Sequence, residues 1–214
     1  ELIRKAAELN LLQEQINPHF LYNVLSSITS MAIRSGNSEI SDMVDHLALF
    51  YRISLNKGKN ILTVREEVKL LENYLEIQKV RFGDAIQITC DLDENLMDCL
   101  IIKLILQPIV ENAIYHAMKD ETEVLHIEVT LKQEADYMVF TIIDDGVGMD
   151  ENTVKEINSE IRTAVRGFGL KNVSIRIQLQ YGQDYGVKVY SKINEGTRVL
   201  IKLPIVRSGE KDKL

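Results

Sequence analysis

A short run of acidic and small residues offers the most specific chemistry in the sequence. Residues 144–148 read Asp-Asp-Gly-Val-Gly and directly follow the apolar segment Val139–Ile143, which predicts a strand. A carboxylate at the end of a strand, here Asp144, can accept a hydrogen bond from an exocyclic amine in a buried pocket. Gly146 and Gly148 would let the chain turn tightly and approach a ligand closely. A plain hairpin turn is the alternative, because Asp-Gly favours positive φ.

A second glycine pair could bind an anion. Gly167 and Gly169 immediately precede a predicted helix that begins near Leu170. Backbone N–H groups at a helix start point outward, and the helix dipole adds to their attraction for negative charge. A flexible lid hinge with no ligand is the alternative interpretation.

A predicted helix upstream carries a polar group of residues. Glu111, Asn112 and His116 lie near one another because helical residues four apart share a face. The amide oxygen of Asn112 is a suitable hard ligand for a Mg²⁺ ion that bridges phosphates. A solvated helix face is the common alternative.

A histidine near the start of the chain could act as a nucleophile. His19 lies on an otherwise apolar predicted helix, beside a heptad-like stripe running from Leu2 to Phe20 that could form a dimer seam. An imidazole with its usual pKa near ~6.5 is largely neutral at physiological pH and keeps a free lone pair. Asn23, four residues later, could orient the ring or meet an incoming phosphoryl group. A lone histidine in such a helix is more often a core residue, but a nucleotide site elsewhere in the chain favours the phosphoryl acceptor.

Two kinds of structure must position these side chains. The first part of the chain predicts helices, with Pro18 kinking or starting one, Gly36 breaking the pattern, and Gly58 ending a second amphipathic stretch. Thr63 and Glu66 form a capping-box pattern that opens a third helix.

The rest of the chain predicts a mixture of strands and helices. Strands are predicted at residues 86–91, 124–131, 138–143, 187–190 and 198–203, and helices at about 101–118 and 169–181. Residues 150–166 are polar with weak periodicity, so we expect a long mobile loop there. Residues 208–214 should form a frayed tail.

Composition excludes several classes of protein. The net charge of −7 argues against broad nucleic-acid binding, which needs a cationic surface. With only Cys90 and Cys99, neither a disulfide framework nor a structural zinc site is expected. No run approaches the ~18–20 apolar residues of a membrane span. The chain begins at Glu1 within a predicted helix, so we expect a fragment whose upstream part is missing.

The order of these segments resembles that of the GHKL ATP-binding fold. Asn112 corresponds to its N box, residues 144–148 to the G1 box and residues 167–169 to the G2 box. Gly196 and Thr197 resemble the last box, and the resemblance implies that the threonine hydroxyl helps to hold the adenine-binding aspartate. This similarity covers about residues 101–204.

A second resemblance extends over nearly the whole chain. Residues 15–23, Gln-Ile-Asn-Pro-His-Phe-Leu-Tyr-Asn, resemble the H box of the LytS/YesM-like branch of sensor histidine kinases. The segments at 75–84, 106–113 and 181–182 also resemble the corresponding segments of that branch. The resemblance implies that His19 accepts a phosphoryl group from Mg-ATP and that Glu111 acts as a base or polariser. Three positions depart from common patterns of histidine kinases: Phe20 in place of an acidic residue, Tyr115 in place of lysine, and Ala117 in place of glycine.

The sequence therefore predicts an α+β protein with two domains and a tail. Residues 1–58 should form an antiparallel, dimerising helical hairpin, and residues 59–206 a GHKL (Bergerat) α/β sandwich with helices on one face of a mixed sheet, followed by a tail at 207–214. The predicted function is ATP- and Mg²⁺-dependent autophosphorylation of His19 and transfer to a response regulator aspartate.

The predicted partners are a second copy of the chain, a response regulator receiver domain and, through a missing N-terminal sensor region, a bacterial cell membrane; nucleic acid is excluded. Two alternatives remain open. One is an ATP-binding dimeric scaffold without phosphotransfer, and the other is a GHKL ATPase that hydrolyses ATP.

Overall fold

The structure is a computed structural model that describes residues 18–54, 60–117, 124–162, 169–207 and 209. The chain divides into two compact units, Glu1–Gly58 and Lys59–Leu214. Within the described ranges, no helix combines the length and apolar character that crossing a membrane requires.

The first unit contains an antiparallel pair of helices, α1 (Pro18–Arg34) and α2 (Ser38–Ser54). Proline suits the first turn of a helix because its missing N–H has no partner there anyway. Between the helices, the side chain of Asn37 accepts a hydrogen bond from the backbone N–H of Ile40, 3.1 Å away, and so caps α2. This is the predicted hairpin, and its break lies at the predicted glycine.

The second unit opens with a short strand and a long helix. Strand β1 (Ile61–Thr63) pairs antiparallel with β3 (Leu100–Ile102), and helix α3 (Val64–Phe82) follows β1 directly. The predicted capping box is confirmed: the Thr63 hydroxyl accepts from the N–H of Glu66, and the Glu66 carboxylate accepts from the N–H of Thr63.

A mixed five-stranded sheet forms the centre of the second unit. Its strands are β2 (Ile86–Leu92), β4 (Leu125–Glu134), β5 (Tyr137–Asp144), β6 (Gly186–Ser191) and β7 (Thr197–Pro204). Their spatial order is β2-β4-β5-β7-β6; β2 runs parallel to β4, and the other neighbours are antiparallel.

One face of this sheet is buried and the other is largely solvated. Alternate residues of each strand point toward the core, as the period of two requires. The buried set includes Ile127, Val129, Leu131, Met138, Phe140, Ile142, Val189, Val199 and Ile201. Helices α4 (Gln107–Ala117) and α6 (Leu170–Tyr181) pack on this face, which confirms the predicted α/β sandwich.

Two expectations about local structure were wrong. Residues 101–106 do not begin the fourth helix: they complete β3 and a connecting segment, and α4 starts at Gln107. This stretch is apolar except for Lys103, so its periodicity could not separate a buried strand from a helix. The expected loop at 150–166 contains helix α5 (Glu151–Arg162), which Asp150 caps by accepting hydrogen bonds from the N–H groups of Asn152 and Thr153.

Candidate nucleotide-binding site

The carboxylate of Asp144 lies at the end of β5 and is buried, with 5% of its surface exposed. Its Oδ1 accepts hydrogen bonds from the backbone N–H of Gly146 at 3.1 Å and of Thr197 at 3.2 Å. Burial raises the pKa of Asp144 above its usual range, and the two amide hydrogen bonds partly oppose that shift. Both described contacts are to one oxygen, so the other can accept a hydrogen bond from a ligand.

A mostly apolar cavity of about 170 Å³ surrounds this carboxylate. An apolar cavity of roughly 150 Å³ is large enough to bind benzene, so this one can hold a flat aromatic ring. Its lining comes from α4, the strand ends, the turn after β5, α5 and α6: Ile109, Asn112, Ala113, His116, Ala117, Ile142, Asp144, Val147, Gly148, Met149, Ile157, Leu170, Thr197 and Val199. Six of the residues predicted from the sequence therefore lie around one cavity: Asn112, His116, Asp144, Gly148, Leu170 and Thr197.

The turn after Asp144 packs directly on the end of α4. A Cβ atom at Gly146 would lie 2.3 Å from the Cβ of Ala117, so only glycine fits there. The N–H of Val147 donates to the carbonyl of Ala117 across 2.9 Å. The sequence suggested that Gly146 permits a close approach to a ligand; in the structure its close neighbour is the backbone of α4.

The glycine before α6 brings a second segment to the site. Gly169 has φ +89°, and a Cβ atom built on it would lie 2.8 Å from Nδ2 of Asn112. The start of α6 therefore lies against the Asn112 side chain, so the helix N-terminus and the amide can meet one anionic ligand. Gly167 lies outside the described residues.

The last predicted residue acts through its backbone. Thr197 donates its N–H to Asp144, whereas its hydroxyl lies 3.0 Å from Oγ of Ser191. Since Ser191 already donates to the carbonyl of Gly196, at 2.7 Å, the Thr197 hydroxyl is the donor to Ser191. The backbone of Thr197 thus makes the contact with Asp144 that the resemblance assigned to its hydroxyl.

The second aspartate of the turn has a partner that the sequence did not indicate. Oδ1 of Asp145 accepts from the N–H of His126 at 2.8 Å, and Oδ2 lies 2.8 Å from Nδ1 of the same residue. Desolvation acts to raise the pKa of Asp145, but the hydrogen bonds from His126 outweigh it, so the pKa lies below its usual range. This pair attaches the turn to β4. The contact could have been predicted from the sequence only if the register between β4 and β5 had been known.

The other predicted residues occupy different places. Glu111 lies on α4 next to Asn112, and its carboxylate accepts a hydrogen bond from Gln107 at 3.3 Å. Asn23 is exposed on α1, in the other compact unit. His19 falls in the first turn of α1, and its side chain lies outside what the structure describes.

Two family models match the chain. The histidine kinase model covers residues 7–86, and the model of histidine kinase-, DNA gyrase B- and HSP90-like ATPases covers residues 97–207. The chain belongs to this ATPase family. Within it, the chain is similar to sensor histidine kinases of the LytS/YesM-like branch.

The relatives support the branch assignment. Sensor histidine kinase YesM of Bacillus subtilis (strain 168) is 39% identical over 204 residues, which are 95% of this chain and 34% of YesM. Sensor protein LytS of Bacillus anthracis is 26% identical over 211 residues, 97% of this chain and 36% of LytS. The chain therefore spans about a third of the length of these relatives.

A solved structure agrees in fold. The histidine kinase domain of a blue-light activated histidine kinase from Erythrobacter litoralis superposes with a TM-score of 0.50 over 94% of each chain, at 16% identity. At that identity, the agreement concerns the fold alone.

Proposed function

We propose that this chain is the cytoplasmic catalytic part of a membrane-bound two-component sensor histidine kinase, which phosphorylates its own His19 with Mg-ATP. The observation that carries the proposal is the buried Asp144 carboxylate, held by two backbone amides in an apolar cavity beside Asn112. We further propose that the two compact units are the phosphotransfer domain (1–58) and the ATP-binding domain (59–206), with a tail at 207–214.

The cavity suits an adenine ring. Oδ2 of Asp144 would accept a hydrogen bond from the exocyclic amine, while apolar side chains such as Ile142 and Val199 contact the ring faces. A charged acceptor in a desolvated pocket makes a strong hydrogen bond, of roughly 1.5–3 kcal/mol. A guanine ring presents an oxygen at the same place, so the carboxylate would disfavour it.

The triphosphate would extend toward the meeting point of α4 and α6. There the amide oxygen of Asn112 would be a ligand of Mg²⁺, the backbone N–H groups after Gly169 would bind phosphate oxygens, and His116 on the rim could donate a further hydrogen bond. Among the described residues, no cluster of three His, Cys, Asp or Glu side chains could hold a metal ion. Mg²⁺ does not require such a cluster, because it is commonly held by one or two protein ligands together with substrate phosphates.

Phosphoryl transfer then needs alignment and neutralisation of charge. A ring nitrogen of His19 forms a bond to the γ-phosphorus as the bond to the β–γ bridging oxygen breaks, and ADP leaves with that electron pair. Glu111 takes the proton from the other ring nitrogen, and Asn23 orients the ring. A regulator aspartate later attacks the phosphorus, and the P–N bond breaks.

An exposed apolar stripe on α1 supports dimerisation. Val24, Ile28 and Met31 follow helical spacings of four and three and are 39%, 39% and 59% exposed. A two-helix hairpin cannot bury such a stripe within itself, and a second copy would cover it.

Labelling with γ-labelled ATP and Mg²⁺ tests the proposal. The unchanged chain should acquire acid-labile, base-stable label and pass it to a receiver domain, whereas His19→Gln should bind nucleotide and acquire none. Label retained in the variant would move the acceptor elsewhere. Sustained phosphate release without a phosphoprotein would favour a simple ATPase, and binding without labelling would favour a scaffold.

A further inference from the structure

A carboxylate far from the cavity in sequence is buried beneath the start of α4. Glu67, on α3, has 1% of its surface exposed. Its Oε2 accepts from the N–H of Leu104 at 2.7 Å, and its Oε1 accepts from the N–H groups of Ile105 and Leu106 at 2.7 and 3.0 Å. Three consecutive amides therefore converge on one side chain, as they do in backbone anion nests.

An arginine binds the same segment from another helix. Arg176 of α6 donates to the carbonyl of Lys103 at 2.5 Å and to that of Leu104 at 3.1 Å. Leu104 has φ +58°, a left-handed conformation that costs a leucine free energy and persists only where its surroundings enforce it. Glu67 and Arg176 are the groups that enforce it, since one binds its N–H and the other binds its carbonyl.

Burying Glu67 and Arg176 costs desolvation free energy, which indicates that the pair serves to fix the backbone geometry. Burial of Glu67 raises its pKa, and burial of Arg176 lowers the pKa of its guanidinium. Apolar side chains could fill the same volume without desolvating two charges. The pair, however, fixes the backbone between β3 and α4, which apolar packing could not hold in one conformation so specifically.

We propose that Glu67 and Arg176 are positioning residues for the metal-binding side of the nucleotide site. This inference rests on the proposed function, in which Asn112 binds Mg²⁺ and Asp144 binds adenine. Leu106 directly precedes α4, and Asn112 lies six residues further, about 9 Å along the helix axis. Arg176 belongs to α6, whose start lies against Asn112. The pair thus sets the separation of the two helices that meet the phosphates, whereas the Asp144 carboxylate is held at the end of β5 by the N–H groups of Gly146 and Thr197.

This division predicts a selective effect on binding. Glu67→Gln replaces one carboxylate oxygen with an N–H₂ group that faces a backbone donor, so the segment must move. The gain in ATP-analogue affinity on adding Mg²⁺ should fall by about tenfold, the size of effect seen when groups supporting a metal ligand are removed. Binding without Mg²⁺ should change less than twofold. General destabilisation would lower both affinities together.

Titration calorimetry with a non-hydrolysable ATP analogue, with and without Mg²⁺, measures both quantities. Glu66→Gln is the matched control, because this neighbouring carboxylate is exposed and glutamine also serves in a capping box. Arg176→Lys is a second variant, for use if Glu67→Gln folds poorly. It keeps the charge but cannot donate to both carbonyls through two nitrogens, so it should show the same selective loss of the Mg²⁺-dependent gain. Amide hydrogen exchange without nucleotide should rise at residues 104–106 in both variants.

An unchanged Mg²⁺-dependent gain in Glu67→Gln and Arg176→Lys would overturn the inference while leaving the proposed function intact. If the unchanged chain bound no nucleotide, or gained nothing from Mg²⁺, the proposed function would fail first and this inference with it.

Discussion

Replacement of Asp144 by asparagine tests the adenine contact with little change in shape. The two backbone donors, Gly146 and Thr197, both face Oδ1 of the native carboxylate. The asparagine amide must keep its oxygen toward them, because the opposite orientation would place its N–H₂ group against two N–H donors. The N–H₂ group then replaces Oδ2 and faces the exocyclic amine of adenine, donor against donor.

The size of the loss follows from these contacts. The variant loses a hydrogen bond to a charged group, worth about 1.5–3 kcal/mol, and leaves a buried donor unsatisfied at a further cost of about 1–3 kcal/mol. We therefore expect ATP-analogue affinity to fall by about 3 kcal/mol or more, which is about 150-fold. Guanine presents an acceptor to the new N–H₂ group, so the preference for ATP over GTP should narrow or reverse.

Calorimetry with ATP and GTP analogues in the presence of Mg²⁺ measures both effects. Asp145→Asn is the control, since its side chain binds His126 and does not line the cavity; it should change affinity by less than threefold. Circular dichroism should show that both variants are folded. Equal affinities of the unchanged chain and Asp144→Asn for ATP would refute the assignment of the adenine pocket.

Two further predictions concern association and pH. Met31→Asp places a charge in the exposed α1 stripe and should convert the proposed dimer to a monomer in sedimentation. Val80→Asp is the control, at an apolar α3 side chain that is 48% exposed, and it should remain dimeric. The same oligomeric state in both variants would contradict this prediction. Because burial raises the pKa of Glu67 above its ordinary 4.5, the folded chain binds a proton that the unfolded chain lacks between the two values. The unfolding free energy of the unchanged chain, relative to Glu67→Gln, should therefore rise as pH falls through that window and decline as pH rises again. Denaturant titrations at pH 7 and pH 5 measure this difference in unfolding free energy. A difference that does not change with pH would contradict the raised pKa of Glu67.

The sequence predicted those parts of the site that depend on local chemistry. Asp144 follows an alternating strand, and the capping box at Thr63 lies within four residues, so short-range rules were sufficient for both. The position of the cavity residues on α4 could also be predicted from the sequence, because helical spacing places Asn112 and His116 on one face. Each of these motifs is weak by itself. Their order along the chain is specific, because it resembles the order of motifs in the GHKL fold.

The parts that sequence reasoning missed depend on contacts between distant residues. Helix α5 is polar overall, which led to the expectation of a loop, although Val154, Ile157 and Ile161 follow helical spacings of three and four. A contact between distant residues also holds it: Asn158 binds the N–H and the carbonyl of Val189 on edge strand β6, at 3.0 and 2.8 Å. The Asn158 amide makes the two backbone hydrogen bonds that a further strand would make at this edge. No local sequence pattern predicts that contact. Glu67 lies in the first turn of α3, and nothing near it in sequence marks it as buried, because its partners lie 37 to 39 residues away.

The positions of these contacts suggest how the nucleotide site is divided mechanically. Under the proposed function, adenine would be bound by Asp144 at the end of β5, which is paired with β4 on one side and β7 on the other. The phosphates would be bound by α4 and α6, and their separation depends on one segment held by Glu67 and Arg176. Because α3 follows the boundary between the two compact units after only a short strand, a displacement of α3 would reach Glu67 and the phosphate side before it reached Asp144. Under the proposed function, such a displacement would change the alignment of the γ-phosphate while the base stayed bound to Asp144.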